Sequence, residues 1–268
     1  MQTNGSWRAT VLVAALAALL TALSACGSAE HGGGGAAGDR GVPARSRPGG
    51  PAAVRTTGLP GVGEGLRRRI PADSGQAVVV YGRDKDSADA TLVLYTRRGS
   101  GWERTRGWPA HNGKKGWTVD HHLGDNRSPV GVYTLSDAGG VLADPGAGLP
   151  YTRDESFAAP RQWHESHWHD FDYVIAIDYN RVKGTPPNDP TRPEGAHKGG
   201  GIWLHMDHGS GTSACVSVAK EAMEYLLRTL DPARHPVIVM GDRADLTRSA
   251  RRASATGSTA RTAVTTGP

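Results

Sequence analysis

The sequence has little cysteine, few aromatic residues and no apolar stretch that could cross a bilayer, and each shortage narrows what the chain can be. There are two cysteines in 268 residues, Cys26 and Cys215, so no disulfide framework can organise the fold. The basic residues are not interleaved with aromatics and no recognition motif accompanies them, which speaks against nucleic acid as a partner. The apolar stretch Val11 to Leu23 is too short to span a membrane. A His-Glu-x-x-His motif is absent, and no internal repeat is visible. Patterned apolar content is also missing from roughly the first 70 and last 25 residues, leaving about 170 for a core, which is one ordinary domain.

What is present starts with an export signal. Arg8 supplies a positive charge ahead of the apolar stretch, and Leu23-Ser24-Ala25-Cys26 follows with small residues running into a cysteine. With Leu three residues before the break and Cys just after it, the segment resembles a bacterial lipobox, in which the Cys thiol is acylated. The expectation is a lipoprotein signal peptide over 1–25 and a membrane anchor through Cys26, on the outer face of the cytoplasmic membrane. Cys215 then remains as a lone thiol in an oxidising setting, a liability unless its reactivity is useful.

Residues 26–75 read as a flexible tether. Gly32 to Gly35 and Pro43, Pro48, Pro51 and Pro60 exclude a packed core there. The net charge of +5 comes largely from flanking arginines, among them Arg67, Arg68, Arg69, Arg248, Arg251 and Arg252. Such runs suit an anionic surface, or serve as solvated flanks. Residues 242–268 read as a disordered basic tail.

Between these flanks, residues 76–241 carry short β-like runs: Ala77 to Tyr81, a hairpin from Thr91 through Gly99 to Arg106, Val130 to Leu135, Tyr173 to Asp178, Gly201 to Met206 and Val237 to Met240. One helix is clear. From Val218 to Leu230, Ala219, Ala222, Met223, Leu226, Leu227 and Leu230 recur at helical spacing, with Ser217 as the expected N-cap and Asp231-Pro232 as the stop. The reading is a mainly β domain, a sandwich or barrel with one clear α-helix and not a βαβ fold.

The strongest local signal is Gly200-Gly201-Ile202-Trp203-Leu204-His205, then nine residues, then Cys215. On a strand, Ile202 and Leu204 face one way while Trp203 and His205 face the other. The loop Asp207 to Ala214 is small and polar, so its backbone can approach a ligand closely. Cys215 is expected just before the helix N-terminus, where the dipole favours a thiolate, with His205 lowering the thiol pKa and carrying the proton. Backbone N–H groups around Ala214 and Cys215 would form an oxyanion hole, with Gly211 and Thr212 in the same loop.

At these residues the sequence resembles the YkuD-type L,D-transpeptidase catalytic domain. That family carries a histidine followed by a Ser-x-Gly-Cys-x-Arg-like segment, matched here by His205, Ser213 and Cys215. Ser128-Pro129-Val130-Gly131-Val132-Tyr133 resembles the family's Thr-Pro-x-Gly-x-Phe segment, which leads into a core strand near the site. The resemblance covers roughly residues 76 to 241. It implies acyl transfer through a Cys thioester on peptidoglycan stem peptides, no cofactor, and Cys215, His205 and Ser213 as catalytic residues. Trp203, Gly131 and Tyr133 are expected at the substrate cleft. The sequence departs from the family at Ala214, where the family has Gly, and at Ser217, where it has Arg, so the loop loses a rigid donor.

Rival chemistry lies in Trp163-His164-Glu165-Ser166-His167-Trp168-His169-Asp170. A zinc-dependent wall peptidase would draw on His164, His167 and His169, whereas a segment lining the substrate cleft would use Trp163 and Trp168 to stack on sugar or peptide. The expectation is the cleft segment, with no metal. His208 and His197 read as loop residues, and His121-His122 as exposed. A catalytically silent, lipid-anchored wall-binding protein is the third reading. A monomer is expected.

Overall fold

The structure, a computed structural model, describes residues 55–248. Cys26, the apolar stretch before it and the tail beyond Arg248 lie outside the described residues. In chain order the elements are β1 (Arg55–Thr56), α1 (Glu64–Arg67), β2 (Gln76–Gly82), β3 (Asp89–Arg98), β4 (Gly101–His111), β5 (Trp117–Thr118), β6 (Ser128–Pro129), β7 (Gly131–Thr134), β8 (Ala138–Gly140), β9 (Tyr151–Arg153), β10 (Val174–Ala176), β11 (Trp203–Met206), β12 (Val216–Val218), α2 (Lys220–Thr229), β13 (Val237–Asp242) and α3 (Arg243–Thr247). Eleven strands make one mixed sheet in the order β7-β13-β2-β3-β4-β12-β11-β10-β8-β9, with β1 along β4, while β5 and β6 form a separate parallel pair. The protein is mainly β, as its short β-like runs imply.

The centre of the sheet explains the rest of the packing. Ala77, Val78, Val79 and Val80 of β2 are all fully buried. Successive strand residues point to opposite faces, so Val78 and Val80 join one cluster with Leu92, Leu94, Ile238 and Met240. Ala77 and Val79 join another with Val93, Tyr95, Val237 and Val239. A sheet apolar on both faces must be covered on both. The first face is covered by α2, whose Ala222, Met223, Leu226 and Leu227 are buried. The second is covered by Leu59, Val62 and Leu66, and by Leu246 of α3.

That second cover corrects the domain limits. Residues 55–75, expected as tether, carry β1 and α1, and residues 242–248, expected as tail, carry α3. A short apolar set (Leu59, Val62, Leu66) within a Gly/Pro/Arg-rich stretch is enough to dock on a sheet that already exposes a complementary face.

The helix start is also corrected. Val216–Val218 is taken by β12, which pairs parallel to β11 and antiparallel to β4. Helix α2 therefore begins at Lys220 with Ala219 as N-cap and no side-chain capping bond. Ser217 is buried in the sheet. The helix ends at Thr229, and Asp231 instead caps the following turn, accepting from the Ala233 N–H at 2.9 Å.

Candidate active site

Two adjacent parallel strands set the chemistry. Leu204 of β11 lies opposite Val216 of β12, and His205 opposite Ser217. Leu204 and Val216 point into the core, so Trp203, His205, Cys215 and Ser217 all point to the other face. Continuing the register one step puts Cys215 opposite Trp203, whose N–H donates to Cys215 Sγ at 3.4 Å. The Gly201 carbonyl lies 3.8 Å from the same sulfur. Gly199, Gly200 and Gly201 all have positive φ, a turn that side-chain-bearing residues resist, and it delivers that carbonyl to the thiol.

His205 and Cys215 open onto one cavity of about 530 Å3, lined also by Lys114, Trp163, His164, His167, Asp170, Phe171, His208, Ser210, Gly211, Thr212 and Ser213. Of the expected residues, the cavity gathers Cys215, His205, Ser213, Thr212 and Gly211. Ala214, Trp203, Gly131 and Tyr133 are not among its lining. Gly131 and Tyr133 sit on β7, an edge strand of the sheet, and the Tyr133 hydroxyl donates to the Val130 carbonyl at 3.1 Å. Trp203 packs against Phe171 and Phe157 and donates its indole N–H to Pro187 O at 3.1 Å. Trp163 does line the cavity, as expected of a cleft segment, whereas Trp168 stays outside the lining.

The protonation states differ from the sequence expectation. Cys215 precedes a strand and not a helix, so no helix dipole favours its thiolate. Burial pushes its thiol up to about 11, only partly offset by the Trp203 N–H, and the nearby Asp170 charge pushes the same way. His205 is 2% exposed, and burial holds its pKa below the ordinary histidine value. Its Nδ1 faces the Met206 carbonyl at 2.7 Å, which assigns the proton to Nδ1 and leaves Nε2 with a free lone pair. The resting pair is therefore neutral thiol and neutral imidazole.

The loop that presents Cys215 is braced from outside. Thr212 forms an isolated bridge with Gly113, and its N–H donates to Asn112 O at 2.9 Å. The Thr212 hydroxyl donates to the Cys215 carbonyl at 2.7 Å. Ser128, which sequence reasoning placed only within a motif, is buried; its hydroxyl accepts from the Gly113 N–H at 2.9 Å and lies 2.7 Å from Ala214 O and 3.2 Å from Cys215 O. Gly113 is needed for this approach, because a Cβ there would come within 2.7 Å of Ser128 N. Among the described residues, no loop hydrogen bond uses the N–H groups of Ser213, Ala214 or Cys215.

Ser217, where the family pattern has Arg, donates to Asp207 Oδ1 at 2.6 Å, and His111 Nδ1 lies 2.8 Å from the same oxygen. Burial would raise the Asp207 carboxyl, but these two contacts outweigh it and hold it below the usual carboxylate range. The loop's first turn is thereby tied to β12 and β4.

The histidine-rich segment does not converge as a His164/His167/His169 set. His164 Nδ1 is 3.0 Å from Ser166 Oγ, and His169 Nδ1 is 2.9 Å from Asp172 Oδ2. His167 instead meets Asp170 and His208. His208, expected as an ordinary loop residue, has a side chain only 4% exposed. His121 is likewise buried and not exposed, its Nδ1 3.0 Å from Asp125 Oδ1. His122 and His197 are exposed, as expected.

The L,D-transpeptidase catalytic domain model of the YkuD family matches residues 82–239. The chain belongs to this family. Members of this family are cysteine-dependent L,D-transpeptidases that act on peptidoglycan stem peptides. No curated protein matches. Among solved structures it is similar to one described as the structure of Bdellovibrio bacteriovorus Bd1075, with 18% identity and a TM-score of 0.35, over 62% of this chain and 47% of that one. The chain thus spans about half the length of that protein. Among the described residues, no helix is long and apolar enough to cross a membrane.

Proposed function

We propose that Cys215 is the nucleophile of an L,D-transpeptidase that cuts a stem peptide at an L,D bond through a thioester. The observation that carries this reading is the shared face of β11 and β12, which sends His205 and Cys215 into one cavity. A neutral resting pair dictates the order of events. As Sγ attacks the scissile carbonyl carbon, its proton passes to His205 Nε2 and the carbonyl π electrons move onto oxygen. The N–H groups of the Ser213–Cys215 segment, free of other loop partners, are the donors available to that oxyanion. Collapse breaks the C–N bond, the leaving amine takes the proton from His205, and the acyl group stays on sulfur. An acceptor amine then attacks the thioester and restores the thiol, with His205 as base. Ser213 is exposed beside the cysteine and in this reading contacts the substrate.

Lys114 is the lysine or arginine in the cavity lining. With Ser217 in place of the family's Arg, it is the cation positioned to meet a stem-peptide carboxylate. Acylation of Cys26 would hold the domain at the outer face of the cytoplasmic membrane, on the wall side. Fractionation tests that part: Cys26→Ala should move the protein to the soluble fraction, and retention by the membrane would exclude the anchor.

The decisive experiment incubates purified protein with muropeptides and reads products by mass spectrometry. Wild type should yield exchanged or crosslinked stem peptides and a transient acyl adduct on the Cys215 peptide. Cys215→Ala should yield neither. Turnover by that variant would end the proposal.

A further inference from the structure

Beside the thiol and its histidine, the same cavity wall carries a second cluster that the proposed acyl transfer does not use. His167 lies in the turn Glu165–His167, Asp170 three residues on, and His208 in the loop after β11. One ligand atom from each lies within 4.8 Å of the others. Asp170 Oδ2 is 3.0 Å from His167 Nδ1 and 3.1 Å from His208 Nδ1. The Met206 N–H donates to the Asp170 backbone carbonyl at 3.0 Å, which fixes the turn against the end of β11.

An ordinary buried hydrogen-bond cluster would satisfy its members, and this one does not. The His208 side chain is 4% exposed, yet neither of its ring nitrogens makes a hydrogen bond. Its Nδ1 is close to Asp170 Oδ2 but out of line for one. A buried imidazole with two orphan nitrogens is expensive unless something else occupies a lone pair. Bonds of about 2.0–2.1 Å to a tetrahedral ion would hold ligand atoms about 3.3 Å apart. The two spacings to Asp170 are close to that, and the His167 and His208 nitrogens lie within 4.8 Å of each other.

We infer that His167, Asp170 and His208 form a site for a zinc-class divalent cation, with the remaining coordination position toward the catalytic cavity. Two imidazoles and one carboxylate suit zinc or cobalt, whereas calcium and magnesium prefer all-oxygen shells. Three protein ligands and an open position would let the ion take a water or a carboxylate of whatever enters the cavity. The set differs from His164/His167/His169, and the ion is an addition to the thiol chemistry. Its detection does not depend on turnover, so failure of one reading leaves the other standing.

The test uses the full chain as Cys215→Ala, so that the cavity thiol does not compete, stripped with chelator and titrated calorimetrically with ZnCl2 beside wild type. One equivalent should bind to both. His208→Ala and His167→Ala should each weaken binding at least about tenfold with unchanged circular dichroism. Should His208→Ala fail to fold, His167→Ala carries the test, because that ring is already 32% exposed. Co2+ loading of the Cys215→Ala protein should give d–d bands of a four- or five-coordinate nitrogen/oxygen site. Absence of uptake by Cys215→Ala, or equal affinity in both histidine variants, would overturn the site.

Discussion

Two buried polar groupings in this domain are built in opposite ways. Around Arg181, everything is closed: the guanidinium pairs with Asp137 at 3.0 Å and with Asp178, and further contacts come from Ser136 and the Thr185 carbonyl. All three charged side chains are at most 7% exposed. Around the Cys215 cavity, Cys215 Sγ has only weak contacts, His205 keeps one nitrogen free and His208 keeps two. A closed network stabilises a loop, while an open one keeps chemical capacity at the expense of stability. The contrast separates residues that hold the 178–185 segment from residues that await a ligand.

The sharpest way to break the contrast is to open the closed network. Arg181→Ala leaves two carboxylates buried without their partner and should destabilise the fold by about 3–5 kcal/mol, read as a lowered urea midpoint. A loss below about 1 kcal/mol would mean that the network is not closed in solution. Next comes Ser128, a closed group that braces the open one. Ser128→Ala should cost about 1–3 kcal/mol of stability through the orphaned Gly113 N–H and Ala214 carbonyl. It should lower kcat more than KM, because the displaced segment is the one that carries the thiol. Unchanged kinetics would remove Ser128 from the positioning role.

The open thiol should show itself in its pH dependence. With the thiol pushed up to about 11, alkylation of Cys215 by iodoacetamide should rise about tenfold per pH unit from 7 to 10, following the thiolate fraction. A plateau by pH 8 would mean an activated thiolate at rest. The smallest effect belongs to His208. In chelator, His208→Leu replaces an unsatisfied imidazole by an apolar group, so stability should stay within about 1 kcal/mol of wild type or rise. A loss comparable to Arg181→Ala would show that His208 belongs to a closed network after all.

How much of this was legible beforehand depends on the range of the interactions. The runs at β2, β3 and β13 are short, apolar and rich in β-branched residues, Gly99 marks the hairpin turn with φ of 61°, and the apolar stripe of α2 is regular. Those are local signals. Ser217 looked like a helix cap because Ser before an apolar-periodic segment usually is one. Its actual place depends on β4 and β11 claiming Val216–Val218 from either side, which no window around Ser217 contains. The same holds for the site. The spacing of His205 and Cys215 was visible because both flank one loop. Ser128 is 86 residues from the Ala214 carbonyl it touches and His111 is 96 from Asp207, so their roles emerge only from the fold. The buried Ser ahead of Pro129 was the available hint.

One consequence of the β11–β12 pairing concerns what keeps the thiol in phase with the cavity. Parallel neighbours are ordinarily joined by a dozen or more residues, yet only residues 207–215 separate Met206 from Val216. Thr212, Ser217 and Ser128 fasten that span along its length. Point substitutions on its exposed positions, such as Ser210 and Ser213, leave the path of the chain alone. A shift of β12 by one residue against its neighbours would turn the sulfur toward the hydrophobic interior and Val216 toward the cavity. The fastenings, more than the length of the connector, therefore keep the sulfur facing the cavity.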